Sequence, residues 1–283
     1  MLMVKAYAKI NVGLNILSKD ANDSYHYLDM VNLPLELHDR IEIEIMPNGY
    51  DTIVTCDEPS LPVDESNLAY KAEKAMREEF GYTTSLRIHI HKIIPIGAGL
   101  AGGSADGAAV IRGINHLLKL NASEEKLLEI GQKIGSDIPF CILDKGAHVT
   151  SKGENLELIK VKGRYQVLIV LPKGRLSTKA VYEKYDEINS SSNANIEELI
   201  KAFEVNDIEK VIANEGNMLE EAAIALCPGV KEIKDLLKEE VGNALLTGSG
   251  SAVFALSNDH HKMKKIYQKF INRGYKAFLT ETK

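Results

Sequence analysis

Cysteine is scarce here: Cys56, Cys141 and Cys227 are the only three, far apart and odd in number. They match no zinc or redox spacing, so no disulfide framework or thiolate metal site is expected, and the thiols read as reduced and buried. Long apolar runs are missing too. None approaches the roughly 20 residues a bilayer-crossing helix needs. The opening MLMVKAYAKINVGL lacks a basic leader, an apolar core and a cleavage site, so no signal peptide is expected and the cytoplasm is the expected compartment. Positive charge is not in excess either. A formal net charge of −6 opposes wholesale nucleic-acid binding, which needs a basic surface to displace counterions. Neither nucleic acid nor membrane is an expected partner, although a local phosphate site stays compatible with that charge.

What is present is ordinary globular material: 283 residues, 45% apolar and 26% charged, enough for two packed domains. The first segment alternates with period two. Val4, Ala6, Ala8, Ile10, Val12 and Leu14 share one face, and Lys5, Tyr7, Lys9, Asn11 and Asn15 share the other, which places Lys9 and Asn11 on the non-core side of a strand. Further strands are expected at 41–45 and 86–90, with a helix between them over 66–80. His89 and His91 would share a strand face. With no third ligand close by in sequence, exposed polar positions account for them better than a metal.

A helix with a wide apolar stripe from Ala105 to Leu118 follows a glycine-rich loop, and Ser123 caps another. Pro139 is placed to open a short helix after Gly135-Ser136-Asp137-Ile138. Around residue 160 the character changes. Residues 165–171 form a continuous buried-strand run, Asn195 and Glu198 have capping-box spacing, and the tail alternates helices with strands. The fold class is therefore α+β in two halves, with domains expected at 1–161 and 162–283.

The loop Pro95-Ile96-Gly97-Ala98-Gly99-Leu100-Ala101-Gly102-Gly103-Ser104 carries the chemistry. Glycines between a strand and a helix let backbone N–H groups approach a phosphate at the positive end of the helix dipole. No Lys-Ser or Lys-Thr follows, so this is not a Walker A loop. No carboxylate closes a second strand about 20 residues on, so it is not a dinucleotide fingerprint. The competing account is a loop whose glycines only permit tight helix–sheet packing. Ser104 weakens that account, because its hydroxyl suits a phosphate or Mg²⁺. Asp106 reads as a cap or dipole partner at the helix start.

Pro-x-Gly-x-Gly-Leu-x-Gly-Gly-Ser-Ala-Asp over 95–106 resembles the phosphate loop of the GHMP kinases, named for galactokinase, homoserine kinase, mevalonate kinase and phosphomevalonate kinase. Ala8-Lys9-Ile10-Asn11-Val12-Gly13-Leu14, Tyr25-His26, Gly135–Phe140 and Gly248-Ser249-Gly250 fall in the order of one branch, which works in non-mevalonate isoprenoid synthesis. The resemblance spans nearly the whole chain. It implies an N-terminal ATP-binding domain like domain 2 of a ribosomal small-subunit protein and a ferredoxin-like C-terminal domain. It also implies ATP and Mg²⁺, and transfer to an alcohol of a small substrate carrying a cytidine diphosphate group, in a monomer or homodimer.

On the same basis, Asp137 is the catalytic base and Lys9 the cation that keeps it ionised. Pro95, Gly97, Gly99, Leu100, Ala101, Gly102, Gly103, Ser104 and Asn67 hold ATP, with Ser104 toward Mg²⁺. Asn11, Tyr25, His26, Thr178, Tyr182 and Gly248 bind the acceptor, Tyr25 stacking on the base and His26 bonding to it. From local sequence alone Asp137 reads better as a helix cap than as a base, and Asn67 reads nearly as well as part of a helix N-cap. The chain departs from the family pattern at Ser24, Tyr27, Ser151, Lys152, Ser251 and Ala252. Two alternatives stay open: another alcohol acceptor, of the homoserine or mevalonate type, and a non-catalytic binding role.

Overall fold

The computed structural model describes residues 1–20, 25–47, 51–188, 190 and 193–283. The departed position Ser24 lies outside them. Eleven strands and ten helices follow in the order β1 Leu2–Lys19, β2 His26–Ile45, β3 Ile53–Cys56, α1 Leu68–Phe80, β4 Leu86–His91, α2 Gly102–Leu117, α3 Glu124–Ile134, α4 Ile138–Leu143, β5 Ala147–Ser151, β6 Asn155–Leu158 and β7 Gln166–Leu171 among the described residues, continuing with α5 Thr178–Ile188, α6 Ile196–Val205, α7 Ile208–Asn214, β8 Gly216–Asn217, α8 Glu220–Leu226, α9 Gly229–Val241, β9 Leu245–Leu246, β10 Val253–Ser257, α10 His260–Asn272 and β11 Lys276–Glu281.

Two compact units share these elements. Met1–Ala8, Leu37–Ile96 and Ala101–Asp144 form the first; Lys9–Glu36, Gly97–Leu100 and Lys145–Lys283 form the second. The residue 161/162 boundary expected from sequence falls inside the second.

In the first unit, β4 pairs antiparallel with the end of β2 and parallel with β3. Period-two alternation buries Ile41, Ile43, Val54, Ile88 and Ile90 on one face. Glu42, Glu44, Arg87, His89 and His91 stand on the other. Helices α1 to α4 pack on one another, and α2 lies against the buried face. Gly113 is what lets α2 sit so close, since a Cβ there would lie 2.5 Å from Ile43 Cδ1. Ser123 caps α3 as expected, its hydroxyl accepting from Lys126 N.

In the second unit, an antiparallel sheet runs β11-β7-β10-β9, with α9 and α10 packed on it. Val167–Val170 of β7 are wholly buried. Asn195 caps α6, accepting from Glu198 N. β5 pairs with the start of β2, and β8 with β1.

Three expectations need correction. Lys9 and Asn11 are 4% and 0% exposed, not on an open face, because β1 is covered on both sides from Ala8 to Leu14. β2 is a single strand of 20 residues, where only 41–45 alternates. Its stretch Met30–Leu35 is continuously buried, so no period appears there. Cys56 is half-buried rather than buried, and burial pushes its thiol pKa up.

Candidate active site

The glycines of the loop do two different jobs. Gly97 (φ 68°), Gly99 (φ 76°) and Ala101 (φ 54°) are left-handed, and Ala101 occupies the N-cap position of α2. A Cβ at Gly97 would meet nothing within 4 Å, and one at Gly103 only Leu68 Cδ1 at 3.6 Å. The backbone at these two positions is open, and Gly103 stands on the first turn of α2. Gly99 is closed in: a Cβ there would lie 2.1 Å from the Thr247 carbonyl oxygen. Gly102 is closed in as well, with Ile94 Cγ2 at 2.9 Å from its would-be Cβ. Ser104 is half-buried on the first turn, and Pro95 and Leu100 are buried.

Gly99 belongs to a hydrogen-bonded frame in the second unit. Thr247 Oγ1 accepts from Asn11 N at 3.3 Å and donates to Gly99 O at 3.2 Å. Lys9 N donates to Leu100 O, and Ala252 N to Ala98 O. Asn217 Nδ2 donates to both Leu246 O and Gly248 O, fixing the turn that carries Gly248. From this frame Lys9 Nζ donates to Asn11 Oδ1 at 2.7 Å, and Asn11 Nδ2 donates to Asn32 Oδ1 at 2.6 Å. Asn32, fully buried, keeps an Nδ2 with no hydrogen-bond partner among the described residues. Sequence reading gave Asn32 no role.

The first unit holds Asp137, Asn67 and a triad that sequence reading missed. Asp137 sits at the N-cap position of α4, but its side chain makes no capping bond, which removes the capping explanation. Asn67 does cap: Oδ1 accepts from Ala69 N at 2.8 Å and Nδ2 donates to Pro62 O at 2.6 Å. Asp106 neither caps nor faces solvent, contrary to expectation. It is 1% exposed and bonded to Lys92, which also reaches Asp39. Burial pushes the Asp106 carboxyl up to about 8; Lys92 opposes that shift and Asp39 adds to it.

A further group lies in the second unit. His26 Nε2 and Asp186 Oδ1 are 2.7 Å apart, and Lys19 Nζ donates to Asp186 Oδ2 at 2.5 Å. Burial works against the Asp186 charge, yet the bonds from Lys19 and His26 hold its carboxyl below the usual range. The His26 ring lies 5.0 Å from that of Tyr182, tilted by 31°, and 6.2 Å from that of Tyr185. Thr178 Oγ1 meets Ser249 Oγ at 2.9 Å. Tyr25 is 63% exposed. Thr178, Tyr182 and Asp186 recur every fourth residue on α5, a helical stripe that would have found Asp186. The departed positions Tyr27 and Lys152 converge on one carboxylate: Tyr27 OH donates to Asp20 Oδ2 at 2.7 Å, and Lys152 Nζ lies 2.9 Å from it.

An open backbone at a helix start, a buried lysine on an asparagine and an aspartate that does not cap its own helix suit phosphoryl transfer, which asks for positioning and charge rather than covalent work. Residues 67–145 match the GHMP kinases N terminal domain, and residues 196–277 the GHMP kinases C terminal domain. A 4-diphosphocytidyl-2-C-methyl-D-erythritol kinase of Caldicellulosiruptor bescii is 38% identical, over 99% of this chain and 96% of its own. Its namesake in Clostridium botulinum is 35% identical over 99% of both. The chain belongs to the 4-diphosphocytidyl-2-C-methyl-D-erythritol kinase family of the GHMP kinases. A crystal structure of 4-(cytidine 5'-diphospho)-2C-methyl-D-erythritol kinase superposes with a TM-score of 0.84 at 27% identity, covering 99% of both chains. Homoserine kinase from Cytophaga hutchinsonii shares the fold, with a TM-score of 0.75 at 18% identity over 99% of this chain and 94% of its own. This protein is thus a small-molecule kinase with the two-domain α+β GHMP fold. Among the described residues no helix is long and apolar enough to cross a membrane.

Proposed function

We propose that this kinase transfers the γ-phosphoryl group of ATP to the 2-hydroxyl of 4-diphosphocytidyl-2-C-methyl-D-erythritol, giving the 2-phosphate and ADP in non-mevalonate isoprenoid synthesis. The observation that carries the acceptor is the His26 ring, anchored on Asp186 at 2.7 Å and faced by Tyr182. An imidazole fixed by a carboxylate is a directed hydrogen-bonding group for a base edge, and Tyr182 and the exposed Tyr25 offer stacking surfaces. Each stacked ring contributes about 1–3 kcal/mol by analogy with other base-binding proteins. Neither homoserine nor mevalonate has a base to stack.

Asp137 takes the proton of the acceptor hydroxyl. An ordinary aspartate has a pKa of about 3.9, so it works as a base only within hydrogen-bond reach of that hydroxyl. The Lys9 ammonium, aimed by Asn11, offsets negative charge developing on the acceptor oxygen. Asn11 and Gly248 line the acceptor side, with Thr178 held by Ser249. Gly97, Gly103 and Ser104 present N–H groups and a hydroxyl to the ATP phosphates, flanked by Pro95, Gly99, Leu100, Ala101 and Gly102, with Asn67 toward adenine. Mg²⁺, when bound, neutralises phosphate charge, and the Ser104 hydroxyl is the hard oxygen donor it prefers.

An ADP-release assay with diphosphocytidyl methylerythritol, homoserine and mevalonate tests this reading. Turnover is expected on the first alone; turnover on either of the others with none on the first overturns it. Asp137→Asn is expected to abolish turnover while ATP binding changes only a few-fold. Near wild-type turnover in that variant removes Asp137 as the base.

A further inference from the structure

We propose that Asp57, His89 and His91 form a site for a divalent first-row transition ion on the open face of the first unit's sheet, with zinc as its best match. The site uses no residue assigned above to phosphoryl transfer. Register brings it together. Thr55 pairs with His89 across the parallel β3–β4 ladder, and Asp57 N donates to Ile90 O one step further on. Alternation puts Thr55, Asp57, His89 and His91 on the face opposite Val54, Ile88 and Ile90. One ligand atom from each of the three residues lies within 4.8 Å of the other two.

The His91–Asp57 spacing is that of two ligands around an ion rather than of hydrogen-bonded partners. His91 Nδ1 and Asp57 Oδ2 are 3.5 Å apart, too long for a good hydrogen bond. Two ligands at about 2.0–2.1 Å from one tetrahedral zinc stand about 3.3 Å apart. The His89 and His91 rings are 4.5 Å apart and nearly perpendicular, at 79°, so they approach without stacking.

Two of the three, His89 and Asp57, are also held from behind, as metal ligands are. Thr55 Oγ1 bonds to His89 Nδ1 at 2.8 Å, so the ring's other nitrogen, Nε2, is the one that would meet the ion. Asp57 Oδ1 accepts from Lys92 N at 2.8 Å, turning Oδ2 toward His91. Glu42 Oε2 lies 3.5 Å from His91 Nε2, on the far side of the ring from Asp57. Two carboxylates beside two imidazoles favour a cation. Arg40, opposite His91 in the register, is exposed, where solvent screens its charge. Two imidazoles and one carboxylate suit zinc and its neighbours; Mg²⁺ and Ca²⁺ want oxygen alone. An ion held there would brace β3 to β4 and keep a coordination position open to water.

Chelator-stripped protein titrated with Zn²⁺ against a chromophoric competitor tests the site. The wild type is expected to bind one ion and to melt at a higher temperature with it, and excess Mg²⁺ is expected not to displace it. His89→Gln and His91→Gln, on the solvent face and checked for an unchanged melting temperature without metal, are expected to lose at least about tenfold in affinity. Wild-type protein that binds no zinc overturns the proposal. So do variants that bind it with unchanged affinity, since the ion then sits elsewhere.

Discussion

Lys92 Nζ lies 2.6 Å from Asp106 Oδ2, so one buried ammonium ties the residue after β4 to the start of α2. It also donates to Asp39 Oδ2 at 2.5 Å, and Asp39 Oδ1 accepts from Ile94 N at 2.7 Å. The segment entering the glycine loop is therefore held by charge as well as by packing. Burial works against the Lys92 charge, and the two carboxylates outweigh it, raising its pKa. Replacing Lys92 by Met removes the one side-chain donor that the buried Asp39 and Asp106 share. A loss of about 3–5 kcal/mol in unfolding free energy is expected, by analogy with broken buried ion pairs. An unfolding midpoint in urea within experimental error of wild type would falsify this role.

The same triad sets a pH dependence. Pairing with Lys92 alone would lower the Asp106 pKa, but burial and Asp39 prevail and leave it at about 8. The folded pKa is above the unfolded value of about 3.9, so the contribution is complete below pH 4 and is lost as pH rises toward 8. Asp106→Asn cannot titrate, and its stability is expected to fall less than wild type between those limits. Parallel stability–pH curves for the two proteins count against the raised pKa.

The two kinds of loop glycine separate in a substitution pair. Gly99→Ala places a methyl 2.1 Å from Thr247 O at φ 76°, so the Thr247–Gly99 contact has to open. A stability loss above about 2 kcal/mol is expected from strain plus overlap. Gly97→Ala meets only open space and costs about 1–2 kcal/mol for its left-handed backbone. On the proposed phosphate role of this loop its methyl would stand in the way of the ligand, so KM for ATP is expected to rise. Equal stability losses in the two variants sink the distinction.

These contrasts show what the sequence made legible. Short-range signals read correctly: Ser123 before α3, Asn195 before α6, and the even positions of β1. What failed was pairing over distance. Lys9 and Asn11 look solvated until Asn32 and Thr247 are brought to them, and Asp106 looks like a dipole partner until Lys92 arrives. The first half of β2 gave no period because both of its faces are covered. The third group beside His89 and His91, Asp57, comes from the residue just past the neighbouring strand β3, and only register reveals it. Asp186 was within reach, since it continues the fourfold spacing of Thr178 and Tyr182.

Asp186 is expected to act on the acceptor alone. Asp186→Ala frees the His26 ring from its 2.7 Å anchor and leaves the loop untouched. KM for the cytidine substrate is expected to rise about tenfold, the worth of a charge-assisted hydrogen bond, with KM for ATP unchanged. Asp186→Asn, which still accepts a bond, should recover part of the loss. A parallel rise in both KM values points to general disturbance instead of positioning.

Glu215 provides the clearest test of a buried charge outside the chemistry. Its Oε2 is buried and has no hydrogen-bond partner among the described residues. Burial raises its pKa to about 8, while Lys234 and Lys238 pull it down without prevailing. Between the unfolded value of about 4.3 and 8, the folded protein keeps a proton that the unfolded chain has released. Stability is therefore fully present below pH 4 and drains as pH rises, by up to about 1.4 kcal/mol per pH unit for this group. Glu215→Gln removes the titration whatever its constant cost in packing. In urea unfolding at pH 5, 6, 7 and 8, the wild-type free energy is expected to fall more steeply than that of the variant. If the two lines run parallel, Glu215 ionises at its ordinary value and the buried carboxyl has found a partner.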